Sequence, residues 1–267
     1  MNERGLKAST VHRHHANLRK ALQYAVKTDV ILTNPADKIE KPKAQPFYAS
    51  FYAESQLNEL FVKTKHSKIH PIILIAAYYG LRRGETLGLK WKAIDFESKS
   101  ITIRHTVTQA KNIETGKRYI VRKNRTKNTS SYRTLPLLPE IEDILKEKRR
   151  QDNEYKRVCG RSYNKEFSEY IFVDELGALI KPDYVTQNFP RLLQKHGLEK
   201  IRFHDLRHSC ASLLLKNGVE MKAIQEWLGH SNFSTTANVY AHLDVNSKRE
   251  SGKVVMNALS TQKNTKE

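Results

Sequence analysis

Apolar residues recur with a helical period along most of this chain and alternate only in a short central stretch. Leu18, Leu22, Ala25 and Val26 share one face of a helix expected over 9–28, with Arg13, Arg19, Lys20 and Lys27 supplying a basic face and Ser9 or Thr10 a cap. Three prolines, Pro35, Pro42 and Pro46, then interrupt any periodicity and mark a linker. Helical spacing resumes over 54–64 and 69–79, and Gly80 is placed to end the second of these. Strand character follows over 101–107, 118–122 and 133–137, with turns near Gly116 and over 128–131. Beyond it the pattern is helical at 140–150, a short apolar strand or loop at 170–173, and helical again at 182–196, 204–217 and 220–229. Ser234 is placed to cap a short helix carrying Tyr240, and a last helix is expected over 245–259.

This order predicts a mainly α fold with a small antiparallel β-sheet (α+β). The linker sets a boundary near Lys43: 1–43 reads as the C-terminal part of a helical domain, and 44–267 as the main domain with a tail from about 241. The run 71–81, the longest strongly apolar one, falls short of the roughly 20 residues a membrane span needs and reads as a buried helix. The polar start predicts no signal peptide, and two cysteines without a CxxC suggest neither a disulfide framework nor a zinc site. A soluble protein of a reducing cytoplasm is expected.

Charge narrows the partner. Lysine and arginine number 47 against 28 aspartates and glutamates, a formal net charge of +19. Such an excess suits a protein that neutralises a phosphate backbone, although membrane-surface and ribosomal-type proteins share it. Between Lys111 and Arg133 the strand-rich section holds eight cations against one acid, Glu114.

Two motifs carry candidate chemistry, GLRRGE at 80–85 and HDLRH at 204–208. A phosphodiester passing through a pentacoordinate transition state gathers negative charge on its non-bridging oxygens, and the guanidinium forks of Arg82 and Arg207 match those oxygens. In the helix over 204–217, Leu206, Cys210, Leu213 and Leu214 form the expected buried stripe. His204, Arg207 and His208 fall on another face near the helix start, where anions are favoured. Taken alone, that face reads first as a solvated basic helix start. The two histidines lack the glutamate of an HExxH zinc site.

GLRRGE with LGLKW, a lysine in RTKNTSSYRTLPL, then HDLRH, LGH and a tyrosine in NVYAH together resemble, in order and spacing, the tyrosine recombinases, the phage-integrase family of site-specific DNA recombinases. The resemblance covers roughly Phe47 onward, and the preceding helix and linker are similar to the end of that family's core-binding domain. It implies that Arg82 and Arg207 bind the scissile phosphate, Glu85 buttresses the arginine, and His204 contacts the phosphate or assists proton transfer. His230 would donate to a non-bridging oxygen, and Lys127, with Lys123 as competitor, would protonate the departing 5′ oxygen. Tyr240 would be the nucleophile, leaving a 3′-phosphotyrosyl enzyme.

No cofactor and no metal are implied. The implied partners are double-stranded DNA at a specific attachment site, further copies of the chain as a homo-tetramer on DNA, and accessory DNA-bending proteins, with no membrane. Arg19, Lys20, Lys123 and Arg125 are the further DNA-contact candidates, and the implied setting is the nucleoid of a bacterial host. The implied function is integration for a phage or other mobile element. The alternatives are a resolvase, an invertase, a type IB topoisomerase-like enzyme, or a DNA-binding protein without catalysis.

Overall fold

The computed structural model describes residues 5–43, 50–124, 132–229 and Met256. By internal contacts the chain divides into two units, 1–48 and 49–267. In the first, helix α1 (Ala8–Lys27) leads to a 3-10 turn at Pro35–Lys38. Asn34 fixes this return: its side chain accepts from the Ala36 N–H at 3.0 Å and donates to the Arg19 carbonyl at 3.0 Å. His15 Nε2 lies 2.9 Å from the Ala36 carbonyl. The expected apolar stripe is only half-covered, for Leu22, Ala25 and Val26 are partly buried while Leu18 is 57% exposed.

The second unit is built around helix α3 (His70–Tyr79), which follows α2 (Glu54–Thr64). Ile72, Ile73, Leu74, Ile75, Ala76, Ala77 and Tyr79 are all buried, so α3 is apolar around its circumference, as a helix in the middle of a core must be. Gly80 ends it in the left-handed conformation, where a β-carbon would collide with Leu228. The short helix α4 (Arg83–Leu87) comes next. Later come α5 (Pro139–Cys159), longer than the expected 140–150, then α6 (Pro182–Lys195), α7 (Asp205–Lys216) and α8 (Met221–Leu228). Cys210 and Ala211 of α7 pack with Ile224 and Leu228 of α8 in a small second cluster.

Among the described residues the strands form two sheets, not the single one expected. Strands β1 (Ile94–Asp95), β2 (Ser100–Ile103) and β5 (Arg133–Pro136) make an antiparallel sheet in the order β1-β2-β5, with Ile101 opposite both Ile94 and Leu135. Strands β3 (Thr106–Lys111) and β4 (Arg118–Lys123) pair separately as a hairpin, with Val107 opposite Arg122. The alternation over 101–107 is therefore broken at Arg104 and His105. The reason is a non-local contact: a β-carbon on Gly88 would lie 2.5 Å from the His105 carbonyl oxygen and 2.7 Å from the Thr106 Cα, so the chain bends there against the end of α4. Residues 170–173 contribute isolated bridges, Lys90 with Tyr170 and Val173 with Leu179. Among the described residues no helix is long and apolar enough to cross a membrane.

Candidate active site

The end of α3, the start of α4, the first residue of β5, the buried side of α7 and the end of α8 meet around one carboxylate. Glu85 lies in α4 and is 2% exposed. Its Oε2 accepts the backbone N–H of Arg82 at 3.1 Å, the reciprocal half of a helix-capping pair. Its Oε1 accepts from Arg82 Nη1 at 2.6 Å, and Oε2 also accepts from Arg133 Nη2 at 3.3 Å. Burial alone would raise this carboxyl, yet Arg133 first, then Arg82 and Arg207, hold it below its ordinary value. Glu85 is thus an internal counter-ion, not a charge on a helix surface.

Arg207 corrects the sequence reading further. It does not share a solvent-facing side with His204 and His208 but is 2% exposed, with Nη1 donating to the Gly80 carbonyl at 2.6 Å. Burial, then the neighbouring Arg82 cation, press its guanidinium down to about 9, still cationic at neutral pH. That bond reaches an acceptor at the C-terminus of α3, where a helix favours cations. Arg82 and Arg133 do the same for α8: Arg82 Nη2 reaches the Gly229 carbonyl at 3.4 Å, and Arg133 Nε donates to the Trp227 carbonyl at 2.7 Å. The Tyr79 ring stacks on Trp227 at 5.9 Å, and the Tyr79 hydroxyl donates to the Pro136 carbonyl at 3.0 Å while accepting from the Leu138 N–H at 3.0 Å. These contacts hold α3, β5 and α8 together around the guanidiniums.

His204 precedes the first turn of α7. One edge of the residue is open to solvent, yet enough protein surrounds it that desolvation, ahead of His208 and Arg207, pushes its pKa down to about 4. The ring is therefore neutral at physiological pH and can accept a proton. It meets the His208 ring edge to face at 5.4 Å. Asp205, buried below, accepts the Arg202 N–H at 2.7 Å and its guanidinium at 2.6 Å, which fixes the entry into α7. Ser209 is buried between the Asp205 carbonyl, to which it donates at 3.0 Å, and the Tyr52 N–H, from which it accepts at 2.9 Å.

Of the sequence-predicted residues, the structure gathers Arg82, Glu85, Arg207 and His204, the first three tied to one another and His204 one helical turn from Arg207. Lys123 is exposed at the end of β4. Arg19 and Lys20 are exposed on α1, where Arg19 is paired with Asp37 at 2.5 Å. Arg125, Lys127, His230 and Tyr240 lie outside the described residues, although α8 ends at Leu228, just before Gly229 and His230. Arg83, the neighbour of Arg82, is exposed enough to donate to Thr186 of α6. Sequence reasoning missed Arg133, which it counted only among the hairpin cations. Its signal was its place at the head of the RTLPL strand, whose alternation turns Arg133 and Leu135 to one buried side.

Three guanidiniums consequently share one buried carboxylate among the described residues. Excess positive charge held out of water is costly unless an anion completes it. The arrangement can bind a phosphate or similar oxyanion with donors already in place.

The phage integrase family profile matches residues 51–247. The chain belongs to the phage integrase family. It is similar to a tyrosine recombinase XerC-like protein of Caldanaerobacter subterraneus subsp. tengcongensis, with 30% identity over 90% of this chain and 64% of that protein. It is also similar to the ICEBs1 integrase of Bacillus subtilis (strain 168), at 24% identity over 93% of this chain and 65% of the relative. The chain thus spans somewhat less than two thirds of the length of these two relatives. Among solved structures, the Tn1549 transposon integrase in complex with a circular intermediate DNA has the same fold. Its TM-score is 0.76 at 23% identity, covering 96% of this chain and 82% of that one. The XerA recombinase aligns with a TM-score of 0.56 at 21% identity, over 98% and 85% of the two chains.

Proposed function

We propose that this phage integrase family chain is a site-specific DNA recombinase of a mobile element, cutting and rejoining strands through a 3′-phosphotyrosyl intermediate. The observation that carries this reading is the convergence, among the described residues, of three guanidiniums, Arg82, Arg133 and Arg207, on the buried Glu85 carboxylate. Arg82 keeps 39% of its side chain exposed to solvent, the side from which a phosphate would approach, and Arg207 supplies positive charge from below.

In the proposed step the Tyr240 oxygen attacks the scissile phosphorus and the 5′ oxygen departs. The P–O bond lost to the 5′ oxygen is replaced by one to tyrosine, so neither oxidation nor an external energy source is involved. A tyrosine hydroxyl with an ordinary pKa of about 10 must lose its proton, and His204 is assigned to contact the phosphate or assist that transfer. Lys127 is assigned to protonate the leaving 5′ oxygen, and His230 to donate to a non-bridging oxygen beside Arg82. Glu85 touches no phosphate in this scheme; it fixes the direction of Arg82.

The basic face of α1, with Arg19 and Lys20, is proposed to grip the DNA backbone from the 1–43 segment, and Lys123 and Arg125 to do so near the cleavage point. The relative named for ICEBs1 and the Tn1549 transposon integrase support an integrative mobile element as the source of the DNA. Exchange of four strands would bring four copies together on two duplexes, with DNA-bending proteins as accessories. The test is incubation with nicked duplexes tiled from the DNA flanking the chain's own coding sequence. Wild-type protein is expected to give a denaturation-resistant protein–DNA adduct, and Tyr240→Phe to shift the same duplexes without forming one. Identical behaviour of the two proteins would leave a DNA-binding protein without catalysis.

A further inference from the structure

Arg133 is given no contact with the DNA in the scheme above, yet it is built into the site more tightly than Arg82. It opens β5 with a side chain 7% exposed, which leaves it no open surface on which to meet a DNA phosphate. Its two ends hold different objects. Nη2 donates to Oε2 of Glu85 at 3.3 Å, while Arg82 Nη1 takes Oε1 at 2.6 Å, so the two guanidiniums divide one carboxylate between them. Nε donates to the Trp227 carbonyl at 2.7 Å in the last turn of α8, beside the Gly229 carbonyl that Arg82 Nη2 reaches at 3.4 Å.

We infer that Arg133 is a positioning residue for strand cleavage: by occupying Glu85 Oε2 and the Trp227 carbonyl it keeps Arg82 aimed at the phosphate and fixes the end of α8 from which His230 follows. The inference rests on the recombinase reading above. Its physical core is competition for a carboxylate. A carboxylate and a guanidinium pair best fork to fork, through two parallel hydrogen bonds. With Arg133 present, Oε2 is already engaged by a second cation and by the Arg82 backbone N–H. Without Arg133, Oε2 gains capacity, and the Arg82 fork turns onto Glu85 with both arms. The donors that a phosphate oxygen needs are then spent internally. The bond to Trp227 adds a second constraint, because the carbonyls of the last turn of a helix have no partner within the helix and accept from whatever fixes that end. The sequence offered no sign of this partnership, since Arg133 and Glu85 are far apart in the chain and neither histidine nor tyrosine is involved.

The role predicts a separation of binding from chemistry. Wild-type chain, Arg133→Ala and Arg133→Lys are compared on nicked duplexes tiled from the DNA flanking the coding sequence. Affinity is measured by mobility shift and adduct formation in single turnover at saturating protein. Arg133→Ala is expected to lower the cleavage rate about 10- to 100-fold, the range carried by groups that orient a reacting residue, with affinity within about threefold. Arg133→Lys returns the charge to Glu85 but cannot also hold the Trp227 carbonyl, so its rate falls between the two.

A folded Arg133→Ala that cleaves within about twofold of wild type overturns the inference, as does a parallel loss of affinity and rate. If Arg133→Ala does not fold, Arg133→Lys decides, because a wild-type rate for that variant shows that the double link is not needed. Carboxyl carbon NMR of Glu85 supplies a readout independent of DNA. Its titration should move upward in Arg133→Ala, which removes the cation that holds it down most, and an unmoved titration overturns the inference even where the wild-type chain forms no adduct. No wild-type adduct on any tiled duplex, together with a shifted Glu85 titration, counts against the recombinase reading and for the Arg133 link.

Discussion

Replacing Glu85 by glutamine tests whether one carboxylate organises the site. The substitution keeps the shape of the side chain but removes the charge shared by Arg82, Arg133 and Arg207. Because the Glu85 side chain is only 3% exposed, water cannot replace the lost charge. Removing one partner of a buried pair typically costs about 3–5 kcal/mol, since the remaining ion is left uncompensated. For a unit of this size each kcal/mol moves Tm by about 2–4 °C, so a fall of about 6–20 °C is expected. Urea unfolding followed by circular dichroism measures the loss directly. The reasoning also fixes the response to anions: sulfate should stabilise Glu85→Gln more than wild type, because the variant has a larger uncompensated positive charge. An anion at one hundred times its Kd would return about 2.7 kcal/mol. A variant within about 0.5 kcal/mol of wild type, with the same response to sulfate, would refute the view of Glu85 as the counter-ion of the site.

Acid should weaken the fold. Desolvation, the leading cause in each case, holds His70, His105, His204 and His208 below the ordinary histidine value. The native state therefore binds fewer protons than the unfolded chain below about pH 6.5, and stability falls as pH drops through that value toward the His204 pKa of about 4. Urea midpoints that stay level from pH 7.5 to 5 would contradict this. Gly88→Ala would set a β-carbon 2.5 Å from the His105 carbonyl oxygen, a backbone atom that cannot swing aside, and should cost about 1–3 kcal/mol in the same unfolding assay. An unchanged midpoint would mean that α4 and the β2–β3 bend are not pressed together. On α1, Lys20→Ala should flatten the dependence of DNA affinity on salt by about 0.9 in log–log slope, with a smaller change for Arg19→Ala because Asp37 already pairs with that guanidinium. Equal slopes for Lys20→Ala and wild type would remove α1 from the DNA-binding surface.

Local pattern told much of the fold and rather little of the site's interior. Helix α2 occupies the expected 54–64, because its apolar spacing and its polar start agree. The run 71–81 became α3, since a segment apolar on all sides has nowhere to go but the core. The five-residue helix α4 escaped notice. It contains Gly84 and ends at Gly88, a composition that reads as loop, and it is helical because Glu85 closes back on the Arg82 N–H. The break at Arg104 and His105 was invisible for a related reason, for the residue that causes it, Gly88, is distant in sequence. Arg207 shows the limit of helical-wheel reasoning. Its face differs from that of Leu206 and Cys210, but α7 is buried on more than one side, and Leu206, Arg207, Cys210 and Ala211 are all enclosed. The structure brings Arg82, Glu85, His204 and Arg207 of the ordered motifs together, whereas strand alternation marked Arg133 as buried but only the fold gave its partners.

The central claim is that Tyr240 becomes joined to a 3′ phosphate in a pocket of guanidiniums. The most direct test is mass spectrometry of the peptide released from an adduct trapped on nicked duplex, together with chemical mapping of the DNA ends. A peptide carrying a 3′-phosphonucleotide on Tyr240, with a free 5′ hydroxyl on the partner fragment, is the predicted result. Linkage to a 5′ phosphate, or to any of the chain's other tyrosines, would contradict it.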